Sequence, residues 1–518
     1  MSFKHQHLPL PDTLAASQTL PADKPFGVVD IGSNSVRFVA YGGSTRSPMQ
    51  IYNEKKFCRL GQSVVLNGGI EGEYWDHAMD TFRRFRQISK RLGVRELMVV
   101  ATAAVRQAEN QNEFIAAAEH ILKTDIAVLS GIEEAHYSAL GVMMGFHKVD
   151  GLVADLGGGS LELARVVQGS IKEVTTLPIG VLALETRFHK NRKKITNYVH
   201  RHLQTIGWLK KAKNKPLYLV GGTWRALAEV DMGRRNSELR VLHHYKMPSK
   251  QIFPFLDEFA KKRVSELKKL KHINAQRRLS LPNAAIVLQE LLTFSRCNMS
   301  LVSTTGLREG LIYNALSERV QEQDQLLSAC HEMSERLCKN PEYGEELIAW
   351  TENLFANVSM SPRKAQSYER LRQAICVIAD VAWSQHEDFR GMIAAETVLH
   401  SPFTGISHAG RCFMANALLY RYNGSSSFTS DKAPRGFIPM RSTARKLSAS
   451  LGLAIRLAET LSGAKPGMLM QTRIYQDSDE LILEVPKKYK NLIDELVEKR
   501  LASLAKMLKL DAYIKVIN

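Results

Sequence analysis

Residues 153–163 read VADLGGGSLEL, and the architecture is best understood from this segment outward. An apolar run reaches Asp155, three glycines follow, and a second apolar run carries Glu162. The pattern predicts two short strands joined by a glycine turn. Because glycine has no Cβ, the backbone N–H groups of such a turn can approach and hold an anion. An ordinary glycine-rich hairpin has the same pattern, so this segment alone leaves both interpretations open.

A second segment repeats the pattern earlier in the chain. Residues 28–38 read VVDIGSNSVRF, with an apolar strand up to Asp30, a Gly/Ser/Asn turn and another strand. Two hairpins of one design indicate one structural unit used twice. Such a duplication predicts two phosphate-holding turns that face each other across a cleft.

Around the hairpins, strand-like apolar runs alternate with helical periodicity, which predicts α/β layering. Helical spacing then dominates until Pro466 and Gly467, after which strands are expected at 468–475, 480–485 and 512–517 and a helix at 491–508. The first 25 residues contain four prolines and predict a flexible tail. The predicted parts are a tail at 1–25, a first lobe at 26–150, a second lobe at 151–316, a helical domain at 317–464 and a small C-terminal α/β domain at 465–518.

Composition and charge limit the classes of partner. The formal net charge is +18 at pH 7 and the isoelectric point is near 9.5. This charge attracts polyanions such as nucleic acid, anionic membrane or polyphosphate and does not choose among them. Six cysteines without CxxC spacing predict reduced thiols. No apolar run could span a bilayer and no leader pattern opens the chain, so we expect a soluble, cytoplasmic protein.

Six motifs occur in one order between residues 26 and 316: DIGSNS, TAAVRQAEN, SGIEEA, DLGGGSLEL, GGTWRALA and GLREG. In this order they resemble the Ppx/GppA phosphatases of the actin/sugar-kinase/Hsp70 superfamily. The resemblance implies two duplicated ribonuclease H-like (actin-like) lobes with an interlobe cleft. It further implies an all-helical, degenerate HD-like domain and a small C-terminal α/β domain, although the match to the last 200 or so residues is looser.

Hydrolysis of a phosphoanhydride needs grips on the phosphoryl oxygens, neutralisation of their charge and a positioned water. The two glycine turns supply the expected grips, and GGT, which resembles a nucleotide-side turn of the superfamily, would line the same cleft. A plain strand-to-helix turn explains GGT equally well. The residues expected to hold phosphate are Asp30, Gly32, Ser33, Asn34, Ser35, Gly157, Gly158, Gly159, Ser160, Gly221, Gly222 and Thr223.

Arg106 and Glu134 are the expected catalytic residues. The planar fork of Arg106 suits a phosphate, and a surface arginine on a solvated helix face is the alternative. Glu133 and Glu134 are adjacent at a predicted helix start and face about 100° apart, so they cannot do the same work. The residues alone do not choose between them. The resemblance of SGIEEA to the family motif selects Glu134 as the base that orients and deprotonates the attacking water.

Asp155 and Glu162 are the candidate ligands of a magnesium ion. Mg²⁺ keeps several waters and bridges phosphates, so two carboxylates would suffice, and Asp30 could join them through water. A glutamate on a strand that faces solvent is the alternative for Glu162. The sequence therefore predicts Mg²⁺ as the cofactor.

Two further regions bear on the substrate. Residues 187–215 contain ten Lys or Arg and no Asp or Glu, which indicates either a solvated face or a lane for a long polyanion. In the helical domain, Ala379 precedes Asp380 where a metal-binding HD site needs histidine. We expect no second active site there, and a role in polymer binding or dimerisation instead.

The resemblance and the charge together favour an exopolyphosphatase that processively removes terminal phosphate from inorganic polyphosphate. The alternative is a guanosine pentaphosphate (pppGpp) 5'-phosphohydrolase that yields the tetraphosphate. A non-catalytic polyanion- or nucleic-acid-binding protein is the third hypothesis, and the sequence contains no helix-turn-helix, zinc-finger or RNP motif to support specific nucleic-acid binding. A homodimer is the assembly that the family resemblance implies.

Overall fold

The computed structural model describes residues 24–189, 191–355, 358–424, 434–438 and 440–518. These residues form two compact units. The first comprises the described part of Met1–Asn236 together with Leu242–Gln323, and the second comprises Ser237–Val241 and the described part of Asp324–Asn518. The tail predicted at residues 1–25 lies outside the described residues except for its last two. The division into four folded parts stays a prediction.

Two mixed sheets form the framework of the first unit. The strands are β1 (Phe26–Ile31), β2 (Val36–Tyr41), β3 (Gln50–Lys56), β4 (Glu96–Ala101), β5 (Ile126–Val128), β6 (Gly151–Leu156), β7 (Leu161–Val167), β8 (Ser170–Leu177), β9 (Pro216–Val220), β10 (Lys246–Pro248) and β11 (Met299–Val302). Their orders are β3-β2-β1-β4-β5 and β10-β11-β9-β6-β7-β8. In each sheet an antiparallel hairpin continues into a parallel pair, β1 with β4 and β6 with β9, so the two predicted hairpins occupy equivalent places.

Helices cover both faces of these sheets. They are α1 (Leu60–Asn67), α2 (Gly72–Arg91), α3 (Ala103–Gln107), α4 (Gln111–Leu122), α5 (Gly131–Gly145), α6 (Val181–Phe188), α7 (Arg192–Gln204), α8 (Gly222–Arg234), α9 (Ser249–Ala260), α10 (Val264–Lys268), α11 (Ala275–Ser295), α12 (Leu307–Ala315) and α13 (Glu318–Gln321), with a 3₁₀ turn at Gly207–Ala212. Successive residues of β1 enter different cores: Val28 packs in one apolar cluster and Val29 in another. A strand buried on both faces reads as a continuous apolar run, which is why Asp30 stands out at its end.

The crossing of α5 and α12 is unusually close. A Cβ at Gly141 would lie 1.9 Å from the carbonyl oxygen of Gly306, and one at Gly310 would lie 1.8 Å from that of Tyr137. Only glycine permits this backbone approach. The crossing fixes α5, which carries Glu134, against the start of α12, which carries Arg308.

The second unit is helical apart from one small sheet. Its helices are α14 (Gln325–Leu337), α15 (Tyr343–Trp350), α16 (Pro362–Val377), α17 (Arg390–His400), α18 (His408–Asn423), α19 (Ser442–Ser462) and α20 (Glu495–Leu508), with 3₁₀ turns at Glu352–Phe355, Leu469–Gln471 and Lys487–Leu492. The strands β12 (Arg473–Asp477), β13 (Glu480–Pro486) and β14 (Asp511–Ile517) lie in the order β12-β13-β14. The mixed α/β class and the presence of a C-terminal domain are confirmed, whereas the HD-like description is not tested.

Two predicted boundaries in the second unit are wrong. The strand expected at 468–475 begins only at Arg473, because Leu469–Gln471 forms a 3₁₀ turn. The helix expected at 491–508 begins at Glu495, where the side chain of Asp494 accepts a hydrogen bond from the Val497 N–H and caps the helix. In the part of the chain that the structure describes, no helix is both long and apolar enough to cross a bilayer.

Candidate active site

Both glycine hairpins line one cavity of about 250 Å³ in the first unit. Each turn is closed by one backbone bond, from Gly32 N–H to the Ser35 carbonyl at 3.1 Å and from Gly157 N–H to the Ser160 carbonyl at 3.0 Å. The predicted residues that line the cavity are Asp30, Gly32, Ser33, Asn34, Ser35, Glu134, Asp155, Gly157, Gly158, Gly159, Ser160, Glu162, Gly221 and Gly222. Thr223 does not line it and is buried on α8 instead.

The two turns orient their backbone in the same way. The carbonyls of Ser33 and Asn34 accept from Gly61 and Arg59 at the start of α1, and those of Gly157 and Gly158 accept from Val181 and Leu182 at the start of α6. In each turn, therefore, the carbonyls accept hydrogen bonds from the N-terminal residues of a helix. Within the described residues, the amide N–H groups at 33–35 and 158–160 donate to no backbone carbonyl, so they are available to an anion.

Four carboxyl groups meet in the cavity. Asp155 and Glu162 lie opposite each other on β6 and β7, and Asp30 and Glu134 complete the set. Glu162 is only 4% exposed, so the solvent-facing alternative for it is wrong. Ser138 donates to Oδ2 of Asp155 at 2.6 Å, and Thr176 donates to Oε1 of Glu162 at 3.1 Å.

Desolvation raises the pKa of each of these acids. Burial and the neighbouring charges of Glu134 and Asp155 hold the pKa of Glu162 well above its ordinary value. Burial raises the pKa of Glu134 to about 7, although the hydrogen bond from Arg106 opposes the shift. Burial likewise raises the pKa values of Asp155 and Asp30. The cluster therefore favours either bound protons or a cation between the acids.

Helix α5 separates the two adjacent glutamates. Glu133 forms a capping box with Ser130: it accepts from the Ser130 N–H at 2.7 Å and donates its own N–H to the Ser130 hydroxyl at 3.2 Å. Glu134 instead enters the cavity. The Ser130 hydroxyl and the Glu133 carboxylate thus cap the helix N-terminus, so of the two adjacent glutamates Glu134 is the one available to the cavity.

Arg106 lies behind the cavity and does not line it. Its Nη1 donates to Oε1 of Glu134 at 2.6 Å and to the carbonyl oxygen of Leu129. The side chain is 29% exposed, so the alternative of a fully solvated arginine does not describe it. In this structure its hydrogen bonds orient Glu134, and no hydrogen bond from Arg106 to either glycine turn is present among the described residues.

A group of cations that the sequence analysis did not assign faces the carboxyl groups. Its members are Arg37, Lys55, Arg225, Arg277 and Arg308. Burial and repulsion from Arg277 and Arg37 lower the pKa of Lys55 to about 8, and burial and repulsion from Arg308 lower that of Arg225 to about 10. Arg308 approaches Asp30 at 3.5 Å, and its buried Nη1 has no hydrogen-bond partner in the described chain.

Some of these cations carried a sequence signal. Arg225 lies in GGTWRALA and Arg308 in GLREG, while Arg37 lies on the second strand of the first hairpin, where it pairs in register with Asp30. Lys55 on β3 and Arg277 on α11 lie in no quoted motif. We find no local pattern that would have identified them.

The donor set in the cavity is compatible with magnesium. The described residues contain no group of three or more Asp, Glu, His or Cys side chains arranged for a metal. Asp155 and Glu162 nevertheless place two hard oxygen donors side by side on paired strands. Since Mg²⁺ retains water and takes phosphate oxygens, two carboxylates fit this ion.

Part of the basic stretch at 187–215 is neutralised by acids from elsewhere. Ion pairs join Arg192 to Asp257 at 3.1 Å, Lys211 to Glu173 at 3.0 Å and Lys215 to Asp150 at 2.5 Å. These pairs reduce the charge available to a polyanion. The lane in this region stays a prediction.

Known proteins resemble this chain in sequence and in fold. The sequence model of the Ppx/GppA phosphatase family matches residues 38–319, and that of the exopolyphosphatase C-terminal domain matches residues 326–513. The crystal structure of an exopolyphosphatase from Cytophaga hutchinsonii is similar, with 23% identity and a TM-score of 0.51 over 57% of this chain and 100% of that one. An Aquifex aeolicus Ppx/GppA protein has 23% identity and a TM-score of 0.49 over 56% of this chain and 96% of its own. At this identity the Cytophaga structure shows a shared fold.

Proposed function

This chain belongs to the Ppx/GppA phosphatase family, and from that premise we propose that it is an exopolyphosphatase, which hydrolyses the terminal phosphoanhydride of inorganic polyphosphate. Family membership supports a phosphatase acting on polyphosphate or pppGpp. The choice between these two substrates is our inference from the lining of the cavity.

The observation that carries the choice is the chemistry of the cavity wall. Among the described residues, five cationic side chains line it and none of the lining side chains is aromatic. The guanidinium of Arg277 lies 2.6 Å from where a Cβ at Gly222 would be, so it covers the turn at which a nucleoside would be expected. A chain of phosphates can satisfy several cations at once, whereas a purine ring would find no aromatic side chain to stack on among the described lining residues.

In the proposed reaction, the free amides of the two turns and the cationic wall hold the terminal phosphates. Glu134, oriented by Arg106, accepts a proton from a water in line with the terminal phosphorus. The water oxygen forms the new P–O bond while the bridging P–O bond breaks. The shortened chain is the leaving group, and its negative charge is stabilised by the cations of the cavity, among them Arg37 and Lys55. A pKa of about 7 leaves Glu134 able to act as a base near neutral pH.

Asp155 and Glu162 would hold Mg²⁺, which would neutralise phosphate charge when bound. When these four carboxyl groups are ionised and no metal ion is bound, they would repel phosphate. Their desolvated position supports a metal-dependent reaction rather than simple anion binding.

The first test compares orthophosphate release from long-chain polyphosphate and from pppGpp in the presence of Mg²⁺. We expect faster release from polyphosphate, and we expect Glu134→Gln to reduce kcat by about 10²- to 10⁴-fold because the base is lost. Glu133→Gln is the matched control. Because Glu133 caps the N-terminus of α5, the variant should keep the wild-type kcat.

Each outcome distinguishes one hypothesis. Release mainly from pppGpp would support the pentaphosphate phosphohydrolase alternative. If the protein binds polyphosphate but releases no orthophosphate, and if Glu134→Gln does not change that binding, the result would support the non-catalytic hypothesis and contradict the mechanism.

A further inference from the structure

Helix α5 presents two polar side chains to the cavity. Glu134 and Ser138 are four residues apart, so they lie one above the other on the same face of the helix. Both line the cavity, and Ser138 is only 1% exposed. A serine hydroxyl buried in this position needs a partner.

Its partner is the carboxylate of Asp155 at the end of β6. The Ser138 hydroxyl donates to Oδ2 of Asp155 at 2.6 Å. The same carboxylate packs against two glycines: a Cβ at Gly221 would lie 3.2 Å from Oδ1, and one at Gly306 would lie 3.9 Å from Oδ2. The glycines shape the space around the carboxylate, but among the described side chains only Ser138 donates a hydrogen bond to it.

Glu162, the other candidate ligand, is held differently. Its Oε1 accepts from Thr176 on β8, which belongs to the same sheet as Glu162 itself. Ser138 is therefore the direct hydrogen-bonded link between the helix of the candidate base and the candidate metal ligands.

We propose that Ser138 is a positioning residue, which fixes the Asp155 carboxylate relative to Glu134 and so places the carboxylate that would hold the cation relative to the candidate base. This inference rests on the proposed function. Groups that orient a metal ligand contribute about 10- to 100-fold to metal affinity or activity. Without the hydroxyl, Asp155 can rotate and no longer holds one oxygen toward the cavity.

The test is Ser138→Ala, which removes one oxygen and favours the helix. Mg²⁺ binding is measured by calorimetry without substrate, and kcat and KM for polyphosphate are measured separately. We expect the Kd for Mg²⁺ to rise about 10- to 100-fold and kcat to fall, with KM nearly unchanged because the turn amides are intact. The matched control is Ser300→Ala on β11, since Ser300 is also buried and its hydroxyl has no partner among the described residues.

Three results would overturn the inference, and the first two come from the variants. One is a Ser138→Ala variant with the wild-type Kd for Mg²⁺, and the other is an equal loss in Ser300→Ala, which would indicate a general packing effect. Absence of Mg²⁺ binding by the wild type would also overturn it. If the wild type binds Mg²⁺ but hydrolyses neither polyphosphate nor pppGpp, the proposed function fails while the Kd comparison still decides the role of Ser138.

Discussion

In the second unit Arg421 lies between Asp380 and Glu459, with Nη2 at 3.4 Å from the first carboxylate and Nη1 at 2.8 Å from the second. In the described part of the first unit, the four carboxyl groups of the cavity form ion pairs with two guanidinium groups only, Arg106 on Glu134 and Arg308 on Asp30. Asp155 and Glu162 have hydroxyl partners and form no ion pair within the described residues.

This difference distinguishes buried acids that the protein neutralises itself from buried acids that are left for a ligand. Burial raises the pKa of Asp380, but the adjacent Arg421 opposes the shift, so the second unit supplies its own counter-charge. In the first unit, four acids and five cations line the same cavity, and among the described residues most of them form no ion pair with each other. Unpaired charges cost stability and are retained where a ligand will meet them.

The largest stability effect is expected from Arg421→Met. The substitution leaves Asp380 desolvated without its partner, so we expect the free energy of unfolding to fall by about 3 kcal/mol. Chemical denaturation measures the loss. Arg336→Met is the control, because its pair with Glu332 is more exposed and should contribute less than about 1 kcal/mol. A drop in kcat per folded molecule in Arg421→Met would contradict a purely structural role.

The next effect is the pH dependence of stability without divalent cations. The pKa of Glu134 is about 7 in the folded protein against an ordinary value of 4.5, so the folded state binds more protons between these values. Stability should therefore fall as pH rises through this window, by at most about 3 kcal/mol.

Urea denaturation at about pH 5 and about pH 8 measures this dependence. Glu134→Gln should remove the part of the decline that Glu134 contributes and be the more stable protein at the higher pH, because its amide cannot ionise. An identical decline in wild type and variant would show that the ionisation of Glu134 does not contribute to it.

The smallest effect is expected from Lys55→Met. This change relieves repulsion from Arg277, Arg37 and Arg225, so the free energy of unfolding should rise by less than about 1 kcal/mol. The KM for polyphosphate should rise by about 10-fold, which corresponds to about 1.4 kcal/mol of lost phosphate contact.

Lys56→Met provides the matched control. Lys56 is the next residue, pairs with Glu54 at 3.2 Å and does not line the cavity. An equal rise of KM in both variants would indicate a long-range effect of net charge rather than a contact in the cavity.

Local pattern predicted much of this molecule. The glycine hairpins, the strand before Asp30 and the helix after Ser130 follow from apolar periodicity and turn chemistry, which act over a few residues. Placement of Glu134 in the cavity and of Glu133 at the helix N-terminus agrees with the predicted choice, although the catalytic role itself stays a prediction. The boundaries at Arg473 and Glu495 were missed because 3₁₀ turns carry a weak signal.

Local sequence patterns did not predict the contacts between segments that are distant along the chain. The five cations of the cavity come from five different elements: Arg37 from β2, Lys55 from β3, Arg225 from α8, Arg277 from α11 and Arg308 from α12. The contact of Arg106 with Glu134 likewise joins residues 28 positions apart.

By itself, therefore, the sequence determined the elements, the two hairpins, the family and the set of candidate acids. Only the tertiary structure decided which charges share one cavity, which are neutralised by the protein and how Ser138 joins α5 to β6. The physical reason is range: propensity and hydrogen bonding within a turn depend on neighbours in the chain, whereas desolvation and charge–charge interaction depend on neighbours in space.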